Sequence, residues 1–515
     1  MMTTETRTSV EDRAADVLRA SNYNIYVDLQ EPGHVLLVHG YSGAFDKVSS
    51  SVARYVRSLD TKPPKPLYGS WSGEDDADPI VRPSDATIEV LKKRGYLTGM
   101  TREDERGRFD AFVRSQHEFD IKRGPGYLFM PTYDCNLRCA YCFQDHMRTD
   151  SAYAHLLRIM TPAIVDRIVK STVGIEARHG VSYGEGQKRS VMLFGGEPLL
   201  ERVRPTVAYI LEAMNRLGPI SVSAVTNGTE LEGYEDLLGP EAIGTLQVTI
   251  DGPKAKHDAR RIYADGSGSF ERICDNIDRA LARRARVDVR LNIDRTNLDE
   301  LPAIATFFVE RGWHRHPLFS AYTAPITATN GKTEKRTTFN SYDLGIEVRQ
   351  LRERHADMAV IQPPDDSLRS QLRAILQGKS DPRASMRTSF CGAHTAMYMF
   401  DPFGDIYACW ERTGDKNIRI GWVDDAGEAH FVQDRLADWR SRTVTSNETC
   451  GQCRYSLYCG GGCAVLAEGL HGTMFGNYCD AFAKRMRTSL SEVYGSMSRG
   501  ALPEDDERVL AMRSL

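Results

Sequence analysis

MPTYDCNLRCAYCFQ, residues 130–144, carries three cysteines, Cys135, Cys139 and Cys142, within eight residues. The stretch continues YLFMPT (127–132), a short apolar run with the make-up of a buried strand, so the thiols sit on the loop that leaves a strand. Working outward, SVMLFGG (190–196), ISVSAVTN (220–227), TLQVTID (245–251) and VDVRLNID (287–294) read as further buried strands. Amphipathic stretches such as RPTVAYILEAMNRLG and FERICDNIDRALARR lie between them. Strands alternating with helices at this spacing predict βα units around a parallel sheet. About six repeats fit the space, short of the eight of a closed barrel. The expected fold is therefore α/β, a partial (β/α)6 TIM-like barrel.

The cysteine usage gains meaning from the rest of the composition. The chain has 515 residues, a net charge of −4, 41% hydrophobic and 26% charged residues, as a soluble globular protein of several domains does. Such a charge gives no reason to expect nucleic acid binding. There is no apolar run of membrane-spanning length, and MMTTETRTSVEDRAADVLRA lacks the apolar core of a signal peptide. The expected compartment is the cytosol, where disulfides are rare and close-spaced cysteines more often bind metal. Of the eleven cysteines, ten fall into two groups. Cys274, alone in FERICDNIDRAL, reads as a buried small hydrophobe.

Three thiolates leave one iron of a four-iron cluster open for chemistry. A structural zinc site would instead need a fourth ligand, for which His146 is near in sequence. The CxxxCxxC spacing, with Tyr141 before the last cysteine, resembles the signature of the radical S-adenosylmethionine (SAM) superfamily. The likeness covers roughly 124–325. FGGEP resembles the segment that binds the SAM amino group, which implies Gly195, Gly196 and Glu197. There the glycines would allow close backbone approach and the carboxylate would pair an ammonium. VTIDGPKAKHDARR resembles the family's strand-four segment. By position, Thr249 (Ser in most members) and Arg261 would hold the SAM carboxylate. VTNGT (225–229) and VRLNID resemble segments lining the SAM pocket, which adds Asn227 and Asn292.

Downstream lie Cys391-x12-Gly404-x4-Cys409, Cys450-x2-Cys453-x5-Cys459-x3-Cys463 and Cys479. Seven cysteines so spaced resemble the SPASM extension of radical SAM enzymes, which holds two auxiliary iron–sulfur clusters. The resemblance assigns Cys450, Cys453, Cys459 and Cys479 to one cluster, and Cys391, Cys409 and Cys463 to the other. The fourth ligand of the latter is missing from the pattern; His394 is the nearest candidate, against the plainer reading of a packed histidine. Two zinc ribbons are the alternative for the whole group.

The N-terminal part reads as a module of strand, strand, helix, helix: YNIYVDL (23–29), HVLLVHG (34–40), SSVARYVRSL and SDATIEVLKKRGYL, with a Pro-rich stretch at 62–83. It loosely resembles the winged-helix element with which such enzymes bind a leader peptide by strand addition. A hydrolase reading of LLVHGYSG fails because GSWSG (69–73) has Trp71 at the nucleophile position. GEGQKRS (184–190) lacks the spacing of an ATP loop.

The domain division expected is 1–122 N-terminal α+β module, 123–340 partial barrel, 341–384 helical linker, 385–485 auxiliary-cluster domain and 486–515 C-terminal helix and tail. The resemblance implies an enzyme that cleaves SAM to methionine and a 5′-deoxyadenosyl radical and oxidatively crosslinks a ribosomally made peptide. Its partners would be that precursor peptide and a flavodoxin or ferredoxin as electron donor. One alternative is a sulfatase-maturing enzyme that makes formylglycine. Those carry an Asp base directly after the Gly-x4-Cys cysteine. Here Trp410 and Glu411 follow Cys409, so Glu411 is the candidate base only if it points inward. The other alternative is a non-catalytic iron–sulfur scaffold.

Overall fold

The computed structural model describes residues 18–29, 31–60, 79–184, 186–328 and 333–499. Six strands form its centre: β1 (Gly126–Phe129), β2 (Arg189–Leu193), β3 (Ile220–Thr226), β4 (Ile243–Thr249), β5 (Arg286–Ile293) and β6 (Phe319–Pro325). They pair in chain order and all in parallel. The αβ partial barrel expected from the sequence is thus the observed fold. β6 does not stand out in the sequence, because only two of its seven residues are buried and its apolar signal is correspondingly weak.

Each strand alternates between two environments, which is why the barrel encloses a polar interior. On β5, Val287, Val289, Leu291 and Ile293 are fully buried against the outer helices, whereas Asp288, Arg290 and Asn292 are half-exposed. Gln247 and Tyr322 continue this polar lining on β4 and β6, the Tyr322 hydroxyl donating to Gln247 Oε1 at 2.7 Å. The outer layer includes helices Pro162–His179, Arg204–Asn215, Phe270–Ala282 and Leu301–Glu310. The first shows how local sequence sets such a helix. Thr161 caps it by accepting from the Ile164 amide, and Pro162 stands where no amide is needed. Cys274 is fully buried in this layer, the small hydrophobe its surroundings imply.

The sheet does not stop at the barrel. β7 (Met397–Phe400) pairs in parallel with β1, and β8 (Asp405–Tyr407), β9 (Gly421–Val423) and β10 (Ala429–Phe431) follow antiparallel. The cysteine-rich region is therefore hydrogen-bonded to the barrel through its first strand.

The N-terminal sheet has a third strand, Phe45–Ser49, beside Asn24–Asp28 and His34–His39. FDKVS is too short and charged to stand out. A 20-residue helix, Arg102–Ile121, is also absent from the sequence reading. It has a weak apolar stripe, burying Phe109 and Val113 amid charged neighbours. The module is not separate. Tyr23, Ile25, Val38 and Phe109 share one core with Leu372, Val444, Tyr455, Tyr458, Phe482 and Met486. Within the stretch read as a helical linker, 341–384, helix Asp366–Leu376 lies in that core and pairs Arg369 with Glu492 of the last helix, Phe482–Arg499. Helical linkers and core helices carry the same amphipathic signal, so periodicity alone does not separate them. The N-terminal polar start, GSWSG and residues 500–515 lie outside the described residues, as does one position of GEGQKRS. Among the described residues no helix is long and apolar enough to cross a membrane.

Candidate functional site at the carboxyl ends of the strands

The cysteine loop and the segments read as SAM-binding lie at the carboxyl ends of β1 to β5, where parallel barrels place their chemistry. The cysteine loop follows β1; Cys135 and Cys139 are buried and Cys142 half-buried. Gly195 and Gly196, after β2, press against the base of that loop. The Gly196 amide donates to Thr132 O at 3.1 Å and the Glu197 amide to Asp134 O at 2.7 Å. Gly195 has φ +144, and a Cβ at Gly196 would collide with the carbonyl oxygens of Tyr133 and Asp134. The close backbone approach read from these glycines is thus an approach to the cysteine loop.

Glu197 is buried and faces inward upon its own surroundings. Its carboxylate accepts from the Leu199 amide at 2.9 Å, Thr226 Oγ1 at 2.7 Å and the Asn227 amide at 2.6 Å. Burial pushes its carboxyl up to about 7 against the pull of those donors. It ties the segment after β2 to the end of β3 rather than presenting a free carboxylate. Asn227 in turn bonds Asn136 at 2.8 Å and lies 3.7 Å from Cys135 Sγ.

A second knot forms on Tyr141. Its hydroxyl donates to Asp251 Oδ2 at 2.6 Å and accepts from Arg261 Nη1 at 2.7 Å and Asn292 Nδ2 at 3.3 Å. Of the residues read as SAM-binding, Tyr141, Arg261 and Asn292 therefore meet directly, while Thr249 is buried at the end of β4. Asp251, which stands in VTIDGPK but is not among the residues read as SAM-binding, is fully buried in this group, and Arg260 Nε also reaches its Oδ2 at 3.4 Å. His257 Nδ1 accepts from the Asp251 amide at 3.3 Å, and its other nitrogen bonds Ser269, whose hydroxyl donates to Arg261 O. Asp251 Oδ1 and Arg261 Nε are buried without hydrogen-bond partners. One buried acceptor and one buried donor left open around Tyr141 suit a small zwitterion with an ammonium and a carboxylate.

The thiols have the chemistry of a cluster site. Burial pushes Cys135 up to about 12 and Cys139 up to about 11, with Arg148 and Arg261 respectively pulling the other way. Buried thiols of this kind ionise when a metal takes the proton's place. Downstream, Cys391, Cys409 and Cys463 lie in one another's electrostatic field, and Cys450, Cys453, Cys459 and Cys479 in a second. Gly460, Gly461 and Gly462 all adopt positive φ, between +76 and +81. The turn they make lets the Tyr478 amide reach Gly461 O at 3.1 Å, which carries the neighbouring Cys479 to Cys459. Among the described residues no three His, Cys, Asp or Glu side chains converge closely enough to ligate a single ion. His146, the fourth zinc ligand considered, is exposed and packs edge-on to Tyr153. His394 is fully buried, stacked on Trp439, with Nδ1 on Trp439 O at 2.9 Å. It is the packed histidine of the plainer reading.

Residues 129–308 match the family described as the Radical SAM superfamily. Those residues form a radical SAM domain. This radical SAM enzyme is 25% identical over 340 residues to Mycofactocin maturase MftC of Mycolicibacterium smegmatis, covering 64% of this chain and 76% of that protein. It is 21% identical over 379 residues to the Cysteine-type anaerobic sulfatase-maturating enzyme of Clostridium novyi, covering 70% and 93%. The solved structure of native anSMEcpe with bound AdoMet superposes with a TM-score of 0.54 at 18% identity, over 73% of this chain and all of that one. A radical SAM domain implies S-adenosylmethionine and a [4Fe-4S] cluster as its cofactors.

Between the two cysteine groups the structure shows what sequence reading misses. Trp410, next to Cys409, packs on Phe194, next to Gly195, with ring centroids 5.4 Å apart. Tyr133, Met147, Tyr407 and Met399 fill the same cluster. Glu411 is half-buried and lies in the field of Arg290 from β5, with burial raising its carboxyl. No spacing rule reports contacts between segments so far apart in the chain.

Proposed function

We propose that this enzyme cleaves SAM reductively and uses the resulting radical to oxidise, and so crosslink, a ribosomally made peptide. The carrying observation is that the second cysteine group adjoins the mouth of the barrel: Trp410, next to Cys409, packs on Phe194, next to Gly195. A site built this way oxidises a substrate held between a radical source and an electron acceptor.

In this reading Cys135, Cys139 and Cys142 hold the first cluster. Cys450, Cys453, Cys459 and Cys479 hold one auxiliary cluster, and Cys391, Cys409 and Cys463 the other. Bound together, the first cluster and SAM supply a 5′-deoxyadenosyl radical, which takes one hydrogen atom from the substrate. The chain's own residues do the rest. Arg261 and Thr249 hold the SAM carboxylate, Asp251 meets its ammonium, and Tyr141, Asn227 and Asn292 shape the pocket. Gly195, Gly196 and Glu197 brace the loop that carries the thiols. Glu411 accepts the proton that leaves when the substrate gives up its second electron.

Peptide chemistry is supported by the maturase relatives and by the solved complex of native anSMEcpe with bound AdoMet and Cp18Cys peptide. Asn24–Asp28 and Phe45–Ser49 are each paired on one side only among the described residues, so a leader strand would add at one of these two edges. A flavodoxin or ferredoxin would deliver the electron, in the cytosol. Glu411, two residues after Cys409, keeps formylglycine formation as a second reading: burial raises its carboxyl while Arg412 and Arg290 pull it down. Trp410 weighs against it, since it takes the place of the base and is committed to Phe194.

Anaerobic incubation with SAM, reductant and peptides encoded beside the gene tests both. Mass spectrometry should find 5′-deoxyadenosine and a peptide lighter by two hydrogens. An aldehyde trapped by a hydrazide would favour the second reading, and a peptide of unchanged mass would mean epimerisation. Failure to make 5′-deoxyadenosine after full cluster reconstitution sinks the proposal.

A further inference from the structure

Arg148 sits on a single helical turn, His146–Thr149, directly after the cysteine triad. Its Nη2 donates to Cys142 Sγ at 3.1 Å and its Nη1 to Tyr133 O at 3.4 Å. One guanidinium therefore spans the cysteine loop from just before Cys135 to Cys142. Its charge also reaches the Cys135 and Cys139 thiols. The Nε atom is buried without a hydrogen-bond partner.

What holds Arg148 comes from elsewhere in the chain. Tyr133 is fully buried, and its hydroxyl donates to Asp401 Oδ2 at 3.1 Å. Asp401 lies in the turn between β7 and β8, buried, with its other oxygen accepting from the Phe403 and Asp405 amides at 2.9 Å each. β8 runs on to Cys409. Met147, beside Arg148, packs into the same cluster as Tyr133 and Tyr407. The hairpin that leads to the second cysteine group thus sets where the guanidinium stands.

A cluster gains one negative charge when it is reduced. Donors to its sulfurs and nearby cations stabilise that state and raise the reduction potential. We propose that Arg148 sets the potential of the iron–sulfur cluster on Cys135, Cys139 and Cys142, and that Tyr133 and Asp401 are positioning residues that fix it from the auxiliary hairpin. The step concerned is the entry of one electron from the donor protein; no bond forms or breaks. The proposal rests on the cluster reading of the triad. Other charges in that field, Arg261 near Cys139 and Glu197 near Cys135, stay in place when Arg148 is changed.

The test is a redox titration of the full, anaerobically reconstituted chain, followed by electron paramagnetic resonance. Arg148→Gln should move the midpoint of the SAM-responsive cluster to more negative values and leave the auxiliary midpoints unmoved. Arg148→Lys keeps the charge and should stay nearer the wild type, and Tyr133→Phe should shift the midpoint in the same direction as Arg148→Gln but less. Equal midpoints for wild type and Arg148→Gln at equal iron content overturn the proposal. So does loss of the triad cluster in both Arg148 variants, which would assign the residue to folding of the loop. A wild-type chain with no SAM-responsive cluster would bring down the cluster reading itself, and this inference with it.

Discussion

Gly196 has no room for a methyl group, since the space is filled by the main-chain oxygens of Tyr133 and Asp134. Gly196→Ala should push the cysteine loop off its seat. Iron analysis should show a loss of about one third of the bound iron, one cluster of three, with the auxiliary spectrum intact. A second residue-scale expectation concerns Asp401, whose carboxyl burial lifts from the usual 3.8 to about 7. The folded protein holds a proton there that the unfolded chain has released above pH 3.8. This group's contribution is therefore full below that pH and is lost as pH rises to about 7, on the order of 1.4 kcal/mol for each pH step of one between those limits. Asp401→Asn escapes the loss. Its melting temperature relative to wild type should rise between about pH 4 and 7 and level off above, and a difference that stays flat would refute the assignment. The triad and Gly195-Gly196-Glu197 were legible in the sequence because each is a short run on one loop. Arg148, Tyr133 and Asp401 were not, because their meaning lies in contacts across the fold, and an isolated Arg or Tyr carries no spacing to read.

Elements were legible in proportion to how sharply they divide apolar from polar. β1 to β5 stand out as apolar runs, and Ser84 and Thr161 open helices with capping hydroxyls. Arg102–Ile121 escaped because a few buried residues are scattered through charged sequence. It nevertheless carries much of the join between the two ends of the described chain. Phe109 is fully buried and stacks on Tyr23 with centroids 4.5 Å apart. Phe109→Ala should cost about 3–5 kcal/mol. Chemical denaturation should show the N-terminal sheet and the auxiliary region losing stability together, since both face that side chain. Loss confined to the N-terminal sheet would contradict a shared core.

At the scale of the molecule, the fold class was legible from strand count and order, while the assembly of its parts was not. Domain boundaries drawn from composition cut through the core that joins Tyr23, Leu372, Tyr455 and Met486. That core rests on the loop of Cys450, Cys453 and Cys459, so iron in the auxiliary region should steady a sheet some four hundred residues earlier. Hydrogen exchange at Asn24–Asp28 should be faster after iron is chelated than before, with the barrel strands less affected. Unchanged exchange there would show that the sheet stands without the loop.

The Tyr23 hydroxyl donates to Gly451 O across 428 residues of chain. A ribosome adding roughly 5–20 residues each second needs on the order of twenty seconds to a minute and a half to cover that distance. Through that interval the apolar face of Tyr23, Ile25 and Val38 waits bare, and β1 waits for β7. Maturation is then a matter of timing: the N-terminal sheet closes its core only once the second cysteine group has been made.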